Sequence, residues 1–200
     1  MERSAAADCV VAVVLLLAGA RVVHAQPAVE RVITDVYRTV LADARCSGRG
    51  PGSRGFVPVI RRELRSAASE PWWSTVGPDS SFADRARALL PPRLLDEMTK
   101  TSEGTLSPST ANALGVQAIA QSEADALART GDFWMAFYQK FPSASAHVQL
   151  SRVALDMSSG EALMYCGYGK SPFGGEGFLV HLHQMNGVWA AIAWHRVWVS

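Results

Sequence analysis

The chain has 200 residues, 48% of them apolar and 18% charged, with a net charge of +1 at neutral pH. This balance excludes wholesale disorder and allows one domain with a substantial core. It supplies no general attraction to nucleic acid or to an anionic membrane surface.

Residues 1–25 read as a secretory leader. Arg3 gives a basic start, an apolar run extends from Cys9 to Ala20, and Val23-His24-Ala25 forms a loose small-x-small site for cleavage after Ala25. The run is shorter than the ~20 residues of a comfortable membrane span. The expected address is exported, periplasmic or secreted, with no membrane span after cleavage. Losing Glu2, Arg3, Asp8 and Arg21 leaves the net charge unchanged. Losing Cys9 leaves Cys46 and Cys166, which in an oxidising compartment are either bridged or unpaired. A bridge would tie the end of the first helix to the sheet and stabilise by roughly 4 kcal/mol in the chain-entropy picture.

Pro27 to Ala44 is the clearest helix. Val29, Val32, Ile33, Val36, Tyr37, Val40 and Leu41 recur at three- and four-residue steps, with Ser47 and Gly48 as stop signals. Arg49 to Gly55 is a Gly/Pro loop. Pro58 to Ala68 is expected as a second helix with Val59, Ile60 and Leu64 on a thin apolar face. Trp72 and Trp73 follow a Glu70-Pro71 break, then helical stretches from Phe82 to Leu90 and from Arg93 to Thr99. Thr101 to Ser107 reads as a polar linker. Ser107-Pro108 has the form of a cap and first turn for an Ala-rich helix to Arg129, with Gly115 inside it. Asp132 caps a short aromatic helix from Phe133 to Phe141, ended by Pro142.

The sheet is expected from there on. Its strands are Val148 to Leu155, Ala162 to Tyr168, Gly177 to Gln184 and Val188 to Val199. Ser158-Ser159-Gly160 turns the first pair, and a longer connection from Lys170 to Gly175 joins the second. Asn186-Gly187 is the strongest hairpin signal and sets Met185 against Val188. Regular alternation from that turn places Phe178, Val180 and Leu182 on one face with Trp189, Ala191, Ala193, Val197 and Val199. Leu179, His181 and His183 share the other with Ala190, Ile192, Trp194, Arg196 and Trp198.

The ordered series FWMAFYQKFP, VQLSRVALD, EALMYCGYG, GGEGFLVHL, NGVWAAIAW and WVS covers about a third of the chain. It resembles a set of exported, mostly bacterial proteins with no established activity, which implies architecture and export but no chemistry. A looser resemblance is to the nuclear-transport-factor-2-like cone, in which a late antiparallel sheet curls around an early amphipathic helix.

The motifs that carry chemistry are few. His181 and His183, at i and i+2 on one strand face, have the spacing of strand-borne metal ligands. A third ligand would have to come from elsewhere, because regular alternation sends His195 to the opposite face and His147 precedes the first strand. Two surface imidazoles are the plainer reading. Gly169-Lys170-Ser171 lacks the leading glycine of a phosphate loop, Met164 standing in its place. Asp156, Glu161 and Glu176 would serve as acid or base only if buried in a cleft. Arg45, Arg49, Arg54, Arg61, Arg62 and Arg65 surround one acid, Glu63, and read as a solvated basic surface.

The expectation is therefore a single α+β domain over residues 26–200, with a helical part at 27–141 packed on a C-terminal four-stranded antiparallel meander at 147–200. Its expected function is a non-enzymatic binding or envelope-associated module, with an unidentified small molecule or an envelope protein as partner and no nucleic acid. The alternative is a small-molecule-binding or enzymatic cone-like domain with a pocket between the aromatic helix and the sheet, walled by Trp134, Tyr138, Tyr165 and Trp194. No catalytic residue is assigned and no cofactor is expected, a divalent metal at His181 and His183 being the alternative.

Overall fold

The computed structural model describes residues 28–48, 57–64, 88–100 and 104–200. The leader, the loop from Arg49 to Gly55, Trp72, Trp73 and most of the Phe82–Leu90 stretch lie outside these residues. Helix α1 spans residues 28–42 and turns the expected stripe inward: Val36, Tyr37, Val40 and Leu41 are buried. A short α2, Ala44–Ser47, follows. Asp43 caps it by accepting from the Arg45 N–H, and Gly48 closes it in the left-handed region at φ 64°.

The sheet is larger than the expected meander. Among the described residues seven strands join in one sheet: β1 (Val57–Arg61), β4 (Gln117–Ile119), β5 (Ala144–Leu150), β6 (Ala154–Asp156), β7 (Glu161–Ser171), β8 (Gly174–Met185) and β9 (Val188–Val199). The order is β4-β1-β5-β7-β8-β9, with β6 also pairing with β7. β1 runs parallel to both β4 and β5, and the remaining pairs are antiparallel. A separate two-stranded ribbon pairs β2 (Glu63–Leu64) with β3 (Gly104–Thr105).

Several expected elements take another form. The segment expected as a helix from Pro58 is strand β1, in which adjacent Val59 and Ile60 are both fully buried, one in the cluster on each side of the sheet. A strand with parallel neighbours on both edges buries both faces, and its apolar run then mimics a thin helical stripe. The Thr101–Ser107 linker contains β3. The long Ala-rich helix breaks in two. Ser107 caps α4 (Pro108–Leu114), but Gly115 turns left-handed at φ 64°, β4 pairs with β1, and α5 (Gln121–Ala128) starts afresh. Helix propensity is a weak local preference, and parallel strand pairing overrides it. The expected Lys170–Gly175 connection is a tight hairpin, since Ser171 pairs directly with Gly174 around Pro172 and Phe173.

The expected strand from Val148 to Leu155 is divided between β5 and β6. Helix α3 is Pro92–Lys100, and the aromatic helix, α6, is Phe133–Lys140 with Asp132 accepting from the Met135 N–H at 3.0 Å. The β8–β9 hairpin follows the sequence signal: Asn186 (φ 51°) and Gly187 (φ 80°) both adopt the left-handed conformation of a type I′ turn, and Met185 faces Val188.

Helices cover both faces. On one, α1 and α2 bury Ile60, Val148, Leu150, Met164, Val180 and Leu182. On the other, α3 covers Leu163, Tyr165, Leu179 and Val197, while α5 and α6 cover Val59, Ile119 and Ala144. β7 lies between, and every residue from Ala162 to Gly167 is buried. Cys46 and Cys166 form a disulfide with Cα atoms 5.9 Å apart, joining α2 to this central strand. Among the described residues no helix is long and apolar enough to cross a membrane.

Candidate functional site

Pairing in the sheet lines up glycines on the face that α6 approaches. Gly167 lies opposite Gly177, and Gly169 opposite Gly175. The neighbouring strand β5 places Gln149 beside Gly167 and His147 beside Gly169. Two indoles occupy the space the missing side chains leave. A Cβ on Gly169 would stand 2.8 Å from the Trp134 ring, and one on Gly175 would stand 3.2 Å from the Trp198 ring. A Cβ on Gly177 would overlap Trp198 outright. Strand glycines cost backbone entropy, and covering them with an aromatic ring recovers apolar contact.

Between the indoles is a cleft of about 230 Å³, open to solvent on one side. Trp134, His147, Gln149, Ser171, Trp198 and Ser200 line it over the floor of Gly167, Gly169 and Gly175. Both walls are held from behind. Trp198 Nε1–H donates to the hydroxyl of buried Tyr165 at 2.9 Å. Trp134 packs edge-on to Phe133 and Phe137, with ring centroids 5.0 and 5.9 Å away. The His147 ring meets the same two phenylalanines edge-on at 5.6 and 5.7 Å and is 8% exposed.

The four aromatic residues expected to wall a pocket fall in different places. Trp134 lines the cleft. Tyr165 lies beneath Trp198. Tyr138 stacks behind Trp134 and donates its hydroxyl proton to the Lys170 carbonyl at 3.0 Å. Trp194 is on the opposite face, against Phe178 and under the Arg45 guanidinium at 4.3 Å.

The position of Trp194 follows from a bulge at Ile192, and a second bulge at Val197 restores the alternation beyond it. His181 pairs with Ala193 but Leu182 with Ala191, so Ile192 is extra; Gly177 pairs with Trp198 but Phe178 with Arg196, so Val197 is extra. Each insertion reverses the alternation. Trp194 and Arg196 therefore join the face of Phe178 and Val180, and Ala193 and His195 cross to the face of His181. This corrects the expected orientation of His195.

His181, His183 and His195 thus share a face, but among the described residues no group of three or more His, Cys, Asp or Glu is arranged to hold a metal. His181 is instead 3.3 Å from the Glu161 carboxylate, and Glu161 and Asp156 both pair with Arg93 on α3. The two ion pairs of Arg93 anchor α3 to the β6–β7 turn. The basic run is described only in part. Arg45 covers Trp194, Arg61 lies in β1, and Arg49, Arg54 and Arg65 are outside the described residues. A second cleft of about 320 Å³ lies near Glu30, Tyr37 and Arg152. Leu64 and Gly104 line it and border segments outside the described residues, so no site is built there.

The anchor sets a pH dependence. The Arg93 hydrogen bond, then one from Ser159, holds the Glu161 carboxyl below its usual range; Ser158 does the same for Asp156, with Arg93 adding attraction. Burial, and then the neighbouring His181, holds His195 below the usual histidine value. In all three cases the folded state binds fewer protons than the unfolded chain. Their contribution is present above the unfolded pKa values, about 4 for the carboxyls and about 6.5 for histidine, and is lost as pH falls through the folded ones. Acidification is expected to loosen α3 before the rest of the fold, seen as early hydrogen exchange in Leu94 to Met98. Arg93→Gln should raise the Glu161 pKa in a carboxyl NMR titration. An unchanged titration would remove Arg93 as the cause.

The class defined so far is a mixed α+β protein with a two-faced sheet and an aromatic cleft at one end of it. No protein-family model, curated protein or solved structure matches the chain. Sequence reading missed the glycine floor, Gln149 and Trp198. Their signal was the pair Gly167-Tyr168-Gly169 and Gly175-Glu176-Gly177, two G-x-G runs whose glycines share one face of adjoining strands.

Proposed function

We propose that this chain is an exported, non-enzymatic binding module, and that its site is the glycine-floored cleft between Trp134 and Trp198. The observation that carries the reading is the construction of that cleft. Four glycines clear the sheet surface, two indoles stand over it, and both are fixed from behind by Tyr165 and Phe137. A side-chain-free floor with rigid aromatic walls and polar groups at its edge suits a small molecule held by contact and hydrogen bonds. Among the described residues the lining has one imidazole and no Asp or Glu side chain, which favours holding a molecule over reacting with it. The pocket expected between the aromatic helix and the sheet is supported at Trp134.

The Cys46–Cys166 bridge supports an oxidising compartment, as does the apolar leader. An envelope protein as a further partner is part of the same reading, with the small molecule as the primary ligand.

A screen of uncharged molecules of up to about 15 non-hydrogen atoms against the isotope-labelled chain tests it. Hits are expected to move the Trp134 and Trp198 indole N–H signals together with the amides of Gly167 and Gly169. Hits confined to other residues, or none at all, would refute the site.

A further inference from the structure

The chemistry of the cleft is specific enough to name a ligand class. We propose that it binds an uncharged, hexose-sized sugar ring, laid against the indoles with its hydroxyls turned toward Gln149, Ser171 and Ser200. This deepens the reading of the cleft as a ligand site and rests on it.

Three features point the same way. The first is charge. Among the described residues no Asp, Glu, Lys or Arg side chain lines the cleft, so an ionic ligand would give up hydration without an ionic side chain to pair with. The second is the pairing of surfaces. Indole faces carry negative quadrupolar charge and attract the weakly positive C–H groups of a saturated ring. The polar edge is supplied by Gln149, with both donor and acceptor, and by the hydroxyls of Ser171 and Ser200. A flat aromatic ligand would use the walls but leave most of these edge groups unmatched. A sugar uses both, because it has apolar C–H faces and a rim of hydroxyls.

The third feature is size. At about 30 Å³ per water molecule, a cleft of about 230 Å³ holds roughly eight water volumes, the bulk of one six-membered ring with its hydroxyls. The lining reaches the β7–β8 turn at Ser171 and Pro172. There Phe173, next in the chain to the lining residue Pro172, is 88% exposed. A second sugar unit leaving the cleft in that direction would find an aromatic platform, so a disaccharide should bind better than its monosaccharide.

The test uses the full chain, labelled for NMR, titrated with neutral methyl glycosides of glucose, galactose, mannose and N-acetylglucosamine. Glucuronate and adenine are the contrasting probes. At least one neutral glycoside is expected to saturate the Trp134, Trp198, Gly167 and Gly169 signals with a Kd on the order of 1 mM. Glucuronate should bind at least about tenfold more weakly. Gln149→Ala and Ser171→Ala, both on polar groups at the cleft edge, should each weaken the glycoside about fivefold to tenfold while leaving the spectrum of the free protein otherwise unchanged. Phe173→Ala should remove the advantage of the disaccharide and leave the monosaccharide unaffected. If adenine saturates these signals and every glycoside is silent, the sugar assignment fails while the cleft stands as a ligand site. If no probe moves them, both fail.

Discussion

Breaking the Cys46–Cys166 bridge is expected to lower the free energy of unfolding by about 2–5 kcal/mol. The two cysteines are 120 positions apart, and a cross-link over that distance restricts the unfolded chain severely. The chain-entropy relation puts its ceiling near 5 kcal/mol, reduced by any unfolded-state structure. Both ends are fully buried, and the bridge holds α2 to the central strand β7. The native fold would therefore keep its contacts while the unfolded state gains freedom. At about 2–4 °C per kcal/mol for a chain of this size, the melting temperature should fall by roughly 5–20 °C. Cys46→Ala/Cys166→Ala and chemical reduction of the unmodified chain should agree. The denaturant slope should also rise, because the released unfolded chain exposes more surface. An unchanged melting temperature in reductant would show that the link contributes nothing to stability.

Phe137→Ala carries the second large effect, expected at about 3–5 kcal/mol. Phe137 is fully buried and touches five rings: Phe133, Trp134, Tyr138, Phe141 and His147, with centroids 5.2–5.9 Å away. Truncation leaves a cavity bounded by stiff rings that cannot collapse into it. Phe137→Leu keeps most of the volume and should cost less than half as much. Because Trp134 leans on Phe137, the alanine variant should also loosen the cleft wall, broadening the Trp134 indole signal and leaving Trp198 sharp. Equal costs for alanine and leucine would mean that ring packing does not set the stability of this region.

Legibility of the chain follows the range of the interactions. Helix α1 was readable because its stripe of Val36, Tyr37, Val40 and Leu41 repeats within a few turns, and α6 because Asp132 and the spacing of Phe133 and Phe137 are local signals. The last hairpin was readable because Asn186 and Gly187 tolerate the left-handed backbone that the turn requires. β1 and β4 were not, since what makes them strands is parallel pairing across more than fifty residues of chain. The bulges at Ile192 and Val197 were not readable either. VWAAIAWHRVWV is apolar at both parities, so no alternation marks where an extra residue enters.

The candidate site divides in the same way. Trp134 could be named in advance as the wall of a pocket between a short aromatic helix and the sheet. Pairing Gly167 with Gly177 and Gly169 with Gly175, and setting Trp198 over them, depends on the β7–β8 register. Composition and local pattern were enough to establish a mixed α and β chain, its first helix, its aromatic helix and its final turn, because capping, periodicity and left-handed tolerance act between near neighbours. Sheet order, the parallel strands, the faces of Trp194 and His195 and the cleft itself came from contacts between distant segments. Those contacts exist only once the chain has closed, and the energies that select them are not written in any short stretch of residues.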